Sequence, residues 1–279
     1  MPRIDSHQHF WKYDPVQHAW INNDMEIIQA DFLPDDLEPI LQEYGFNGCV
    51  TVQVDQTEEE NTILLDHAAK YDFIKGVVGW VDLKAENIEE RLAYYKQFKK
   101  LKGFRHILQS EADRAYMLGA DFKRGISKLK QFGYTYDILI YTDQIAYANE
   151  FAAAFPDQPF VVDHIAKPKI KDKEIAGWEK DMRAIAKNEN VLCKVSGMVT
   201  EADWKAWKPE DFTPYLDVVF EAFGTDRVMY GSDWPVCRVA ATYGEMLAIA
   251  ENYVSKLSKQ EQDKFWGGNA VKFYGLELN

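Results

Sequence analysis

Short runs of β-forming residues alternate with longer amphipathic stretches along the whole chain, and this alternation constrains the fold more than any other feature. We predict eight strands, at residues 3–9, 48–54, 74–81, 104–108, 135–140, 160–164, 191–195 and 228–231. Strands that alternate with helices form βα units and a parallel sheet. Eight units in 279 residues average about 35 residues each, so we expect an α/β fold with a single (βα)8 (TIM) barrel.

Amphipathic patterns between these strands predict seven helices, at residues 35–44, 58–70, 88–100, 122–132, 145–155, 173–187 and 214–223. No linker or change of composition divides the chain, so we expect one domain over residues 1–279. The connections 10–34 and 196–213 are long and rich in aromatic residues, among them Trp20, Trp204 and Trp207. Because long βα loops carry function in barrels, we expect both to form pocket walls.

Charge narrows the range of partners. The chain has 32 Lys and Arg residues against 45 Asp and Glu residues, a net charge of −13, which disfavours nucleic acid and anionic membrane surfaces. No apolar stretch approaches the roughly 20 residues of a membrane span, and the three cysteines lack metal-type spacing. We therefore expect a cytoplasmic protein with a small-molecule partner and no membrane contact. The oligomeric state stays open.

The first predicted strand contains a His-x-His pair, His7 and His9, whose side chains point to the same face. Other candidate catalytic residues fall at the ends of predicted strands: His106 in the last part of the fourth, His164 at the end of the sixth and Asp233 just after the eighth. In a barrel these ends meet at the face that carries active sites. We therefore expect four histidines and a carboxylate at one mouth.

The roles of two basic residues close in sequence to these histidines are harder to assign. Lys167 precedes a proline, and this position suits an exposed lysine as well as a substrate contact. Arg105 faces away from His106 in a regular strand, which favours a structural ion pair.

Six motifs cover nearly the whole chain in order: Asp5-Ser-His7-Gln-His9-Phe-Trp11, Gly103-Phe-Arg105-His106, Asp163-His164-Ile-Ala-Lys167-Pro168, Lys194-Val-Ser196-Gly197, Gly231-Ser-Asp233-Trp234-Pro235 and Gly268-Asn269-Ala270-Val-Lys-Phe-Tyr274. In this order the chain resembles the amidohydrolase superfamily, and within it the amidohydrolase-2 branch, with sugar lactonases of the fuconolactonase and rhamnonolactonase type. The resemblance implies a hydrolase that opens a sugar-acid lactone. Asp233 would be the general base, His7, His9 and His164 would line the centre, and His106 would contact the lactone.

The resemblance also implies a site for one divalent ion, zinc or manganese, on His7, His9 and Asp233. The fifth strand has no histidine, so a two-metal site is not expected, and catalysis without metal stays open. Trp11 and Trp234 are expected to stack on the sugar and Lys167 to contact it. Two alternatives remain: a metal-dependent non-oxidative decarboxylase of the same branch, and a sugar-acid-binding barrel without catalysis.

Overall fold

The computed structural model describes residues 2–278 and forms one eight-stranded parallel sheet. Neighbouring strands along the chain pair throughout, in the order β1 to β8. The strands are β1 (Ile4–Gln8), β2 (Gly48–Val52), β3 (Ile74–Gly79), β4 (Leu101–His106), β5 (Thr135–Ile138), β6 (Phe160–Val162), β7 (Val191–Val195) and β8 (Val228–Tyr230). The predicted barrel fold and all eight strands are confirmed.

All seven predicted helices are present, and three more follow them. They are α1 (Pro34–Glu43), α2 (Glu58–Lys70), α3 (Ile88–Tyr95), α4 (Ala120–Leu129), α5 (Ile145–Ala153), α6 (Ala176–Ile185), α7 (Thr213–Phe223), α8 (Tyr243–Val254), α9 (Lys259–Asp263) and α10 (Asn269–Tyr274). The predicted helix 88–100 was too long: α3 ends at Tyr95, and residues 96–100 connect it to β4, which begins at Leu101. Helix α8 was missed, although Thr242 and Glu245 form a capping box at its start.

The barrel closes through residues just beyond the last strand. The backbone N–H of Asp233 donates to the carbonyl of His7 (2.9 Å), and the N–H of His9 donates to the carbonyl of Trp234 (2.8 Å). The hydroxyl of Ser6 donates to the carbonyl of Tyr230 (2.6 Å). These bonds fix the end of β1 against Asp233, so two sequence-distant candidate residues are joined by the closure itself.

Helix α10 packs under the barrel at the end opposite the candidate site. A buried apolar cluster joins it to the strands inside the barrel: Ile4, Val50, Val52, Val78, Val161, Met229, Ala270, Tyr274 and Leu276. A larger apolar cluster surrounds this layer and packs the helices on the sheet. Among residues 2–278 no helix is long and apolar enough to span a membrane.

Candidate active site

Three predicted residues converge at the carboxyl ends of the strands. His7 lies on β1, His164 follows β6 and Asp233 follows β8, and one donor atom from each lies within 4.8 Å of the others. His9 completes the group, with Nε2 at 3.2 Å from Nε2 of His7 and 3.4 Å from Oδ1 of Asp233. All four side chains are buried. The structure therefore brings together His7, His9, His164 and Asp233 as predicted.

Unusual backbone turns aim two of these side chains. His164 and Asp233 both have left-handed backbone conformations, with φ of 53° and 57°. The left-handed run continues from His164 through Lys167, at a cost of about 1–2 kcal/mol per residue. The Trp178 indole N–H holds this turn by donating to the carbonyl of Ile165 (2.8 Å). Backbone strain of this kind is concentrated at functional sites, where it fixes side-chain direction.

Each imidazole is held at Nδ1, so that Nε2 faces the centre. His9 Nδ1 donates to the carbonyl of Val52 (2.7 Å). His164 Nδ1 is hydrogen-bonded to the hydroxyl of Ser196 (2.9 Å). Nδ1 of His7 lies 3.2 Å from Oδ1 of Asp163 and 3.1 Å from Nζ of Lys194. Anchoring of the outer nitrogen is the usual arrangement for histidines that bind a metal.

Burial sets the charge of the centre. It lowers the pKa of His9, and it holds the pKa of His7 and of His164 well below the ordinary value. Burial alone would raise the pKa of Asp233, but the neighbouring His164 keeps it below its ordinary value. At neutral pH the centre therefore contains neutral imidazoles around an ionised carboxylate.

This charge state fits a cation. Since Nδ1 of His9 carries the proton given to Val52, its Nε2 presents a lone pair to the ionised carboxylate of Asp233, 3.4 Å away. Two acceptors at this distance repel each other unless a donor or cation lies between them. Neutral imidazoles and a carboxylate are the ligands that zinc prefers. The compact trio is His7, His164 and Asp233; the predicted trio had His9 in place of His164.

A layer of buried ion pairs lies against the histidines. Nη1 of Arg105 donates to Oδ2 of Asp163 (3.1 Å) and lies 3.2 Å from Nε2 of His7. The ammonium of Lys194 lies 3.0 Å from Oδ1 of Asp163 and 2.5 Å from Oδ2 of Asp137. The predicted ion-pair role of Arg105 is thus confirmed.

A cavity of about 480 Å³ opens over the centre. Its polar and aromatic lining includes the predicted Trp11 and Lys167 together with Tyr141, Glu201 and Trp204. The two long loops contribute part of this wall, as predicted. Sequence reasoning missed Glu201, whose carboxylate lies 4.0 Å from Nζ of Lys167. Its only signal was its position in the aromatic loop that follows β7.

Two predicted site residues lie away from this cavity. His106 is hydrogen-bonded through Nε2 to Glu111 (2.7 Å), and the indole of Trp80 donates to its Nδ1 (3.3 Å). The reason is strand alternation: Arg105 points into the barrel, so the next side chain points out. Trp234 is 2% exposed and packs edge-on against Phe32. The structure therefore does not bring His106 and Trp234 together with the other predicted residues.

Trp207, the second tryptophan of the loop 196–213, also lies outside the cavity wall, and its indole N–H donates to the carbonyl of Ala240 (2.8 Å).

A (βα)8 barrel with a buried histidine and carboxylate centre at the carboxyl ends of its strands defines a class of barrel enzymes. Residues 4–276 match the family model described as amidohydrolase, and the chain belongs to the amidohydrolase family. Two curated relatives are both L-fucono-1,5-lactonases. The one from Burkholderia multivorans is 40% identical over 98% of this chain and 96% of its own length. The one from Burkholderia ambifaria is 34% identical over 99% of this chain and 96% of its own length.

One solved structure closely matches the whole barrel. It is an amidohydrolase from Burkholderia multivorans with bound zinc, and it is 39% identical with a TM-score of 0.96 over 99% of this chain and 100% of that chain. The predicted family is therefore confirmed.

Proposed function

We propose that this protein hydrolyses the lactone of a sugar acid to the open hydroxy acid, with L-fucono-1,5-lactone as the first candidate substrate. The observation that carries the proposal is the ionised carboxylate of Asp233 among neutral imidazoles at the base of a cavity of about 480 Å³. The substrate candidate rests on two relatives with that activity in their names, at 40% and 34% identity over nearly the full chain.

Asp233 is the proposed general base. Its pKa is held below the ordinary value even though burial alone would raise it, so it is ionised at neutral pH and can take a proton from water. His9 and His164 lie 3.4 and 3.9 Å from its Oδ1, so the carboxylate faces both imidazoles. The proton taken from water is then available to the ring oxygen that leaves the carbonyl carbon.

When water attacks the lactone, negative charge develops on the carbonyl oxygen, and a hydrogen-bond donor or cation must stabilise it. Nη1 of Arg105 lies 3.2 Å from Nε2 of His7 and lines the cavity, so it can contribute positive charge there. A divalent ion held by His7, His164 and Asp233, with His9 beside it, would supply Lewis-acid polarisation of the carbonyl. The predicted catalytic role of His106 has no support in this geometry, and the proposal does not include it.

The cavity wall suits a sugar acid. Trp11 and Trp204 offer flat apolar faces, and Lys167 and Glu201 offer a donor and an acceptor for ring hydroxyls. Met25 and Val236 add apolar surface that fits a methyl-terminated sugar. Paired donors and acceptors of this kind discriminate strongly between hydroxyl patterns, because an unmatched buried polar group is costly.

A substrate panel tests the proposal. Purified protein is assayed by acid release from aldonolactones of both ring sizes, with spontaneous hydrolysis subtracted, and by carbon dioxide release from aromatic acids. We expect saturable lactone hydrolysis with a preference among stereoisomers. Carbon dioxide release that depends strictly on added metal would establish the decarboxylase instead. Binding of lactones or sugar acids without turnover would establish the non-catalytic barrel.

A further inference from the structure

The charge layer next to His7 extends downward to the closed end of the barrel. Nζ of Lys194 lies 3.1 Å from Nδ1 of His7, 3.0 Å from Oδ1 of Asp163 and 2.5 Å from Oδ2 of Asp137. None of these side chains is exposed. The position of the Lys194 ammonium therefore sets the electrostatic environment of Nδ1 of His7, and Asp137 is the partner on its far side.

The end of the chain reaches this layer from the opposite side. Tyr274, the last residue of α10, donates its hydroxyl to Oδ2 of Asp137 (2.8 Å). Its ring centroid lies 5.5 Å from Nζ of Lys194, within the range of a cation–π contact. A series of contacts thus runs from Tyr274 through Asp137 and Lys194 to His7.

Asp137 is held by only one of its oxygens. Both Lys194 and Tyr274 contact Oδ2, and Oδ1 has no hydrogen-bond partner among residues 2–278. Without the tyrosine hydroxyl, the carboxylate is free to rotate and present Oδ1 to the ammonium. That rotation would displace the ammonium relative to Nδ1 of His7.

We propose that Tyr274 is a positioning residue: it fixes the Asp137 carboxylate, which fixes Lys194 against His7 and thereby orients the centre. The proposal gives a role to the motif Gly268 to Tyr274, which lies at the barrel end opposite the cavity. Its kinetic test rests on the proposed lactone hydrolysis. A second readout on the His7 ring does not.

The test is Tyr274→Phe, with Tyr230→Phe as the matched control. Tyr230 is equally buried, and its hydroxyl has no hydrogen-bond partner in the described part of the chain. We expect Tyr274→Phe to lower kcat about tenfold with KM within about twofold, and Tyr230→Phe to leave both within about twofold. In protein labelled with ¹⁵N-histidine, the His7 ring nitrogen signals should shift in Tyr274→Phe only, with the assignment made by loss of the signals in His7→Gln.

The kinetics and the His7 signals together distinguish failure of the proposed lactone hydrolysis from failure of the positioning role of Tyr274. If no lactone is hydrolysed, the His7 signals alone decide: a shift supports the positioning role, and unchanged signals overturn it. If lactones are hydrolysed, kcat within about twofold of the wild type overturns it, and so does a rise in KM alone.

Asp137→Asn keeps the test decisive if Tyr274→Phe does not fold. It removes the charge that holds Lys194, so we expect it to lower kcat and to shift the His7 signals as well. If both variants fold, the double variant should lose no more activity than Asp137→Asn alone, because Tyr274 acts through Asp137. Fully additive losses would overturn the proposal, as would an Asp137→Asn protein with wild-type kcat and His7 signals.

Discussion

Gly197 leaves room for the ring of His164. A Cβ on Gly197 would lie 2.6 Å from Nδ1 of His164, closer than Cβ atoms approach, and 3.1 Å from Oδ2 of Asp233, which is unusually tight. We predict that Gly197→Ala displaces both groups and lowers kcat by at least about tenfold in folded protein, since small misplacements of catalytic groups are costly. Steady-state kinetics with a circular dichroism check of folding measures this.

Gly224→Ala is the matched control for that variant. Gly224 also has a positive φ, 67° against 60° for Gly197, but a Cβ there would meet nothing within 4 Å. Its ψ of 172° places it in a backbone region that is essentially restricted to glycine, so the variant should lose about 1–3 kcal/mol of stability and retain wild-type kcat. Equal kinetic effects in both variants would show that crowding at His164 is unimportant.

Lys167 and Glu201 face each other across the cavity wall, at 4.0 Å. We predict that Lys167→Met and Glu201→Gln raise KM more than they lower kcat, because they remove contacts to hydroxyls away from the carbonyl. Each variant should also lose discrimination between lactone stereoisomers. Lys169→Met is the control, because Lys169 is solvent-exposed and pairs with Glu174 (3.1 Å). A variant with an unchanged stereoisomer preference would contradict the assignment.

His106 lies outside the centre, and its substitution separates structural from catalytic histidines. We predict that His106→Gln keeps kcat within about threefold and lowers the free energy of unfolding by about 1 kcal/mol, because Trp80 and Glu111 lose a hydrogen-bond partner. His164→Gln should instead lower kcat by about 100-fold or more. Urea denaturation and kinetics measure both. A large loss of kcat in His106→Gln would restore the role that the sequence predicted for it.

Ser196 anchors His164 through the bond to Nδ1 (2.9 Å). If His164 holds zinc, Ser196→Ala should weaken zinc binding about 10- to 100-fold, the usual cost of losing such an anchor. Competition with a chelating dye measures the affinity, and Thr51→Val is the control, because Thr51 is buried and its hydroxyl has no hydrogen-bond partner in the described part of the chain. Unchanged zinc affinity in Ser196→Ala would contradict this anchoring role.

The eight strands and the convergence at their ends could be predicted because both follow from local patterns. Alternation of β-forming and amphipathic segments gives the parallel sheet, and a parallel sheet places His7, His164 and Asp233 at one edge. The His-x-His pair needs only the two-residue period of a strand. These inferences require no knowledge of side-chain packing.

The directions in which side chains point at the strand ends could not be predicted from such local patterns. His106 follows Arg105 on a regular strand, and the choice of which side chain faces inward was settled by the ion pair between Arg105 and Asp163. Trp234 follows a residue in the left-handed conformation, which turns it into the apolar layer with Phe32. The contacts of Glu201 and Tyr274 join distant segments and have no local signal.

The central claim is that Asp233 activates water for attack on a lactone, and the most direct measurement is the kcat of Asp233→Asn on L-fucono-1,5-lactone. Asparagine keeps the shape of the side chain but accepts no proton at neutral pH. We predict that kcat falls by about 10²- to 10⁴-fold in a protein that unfolds at the wild-type temperature. A kcat within about threefold of the wild type would contradict the account.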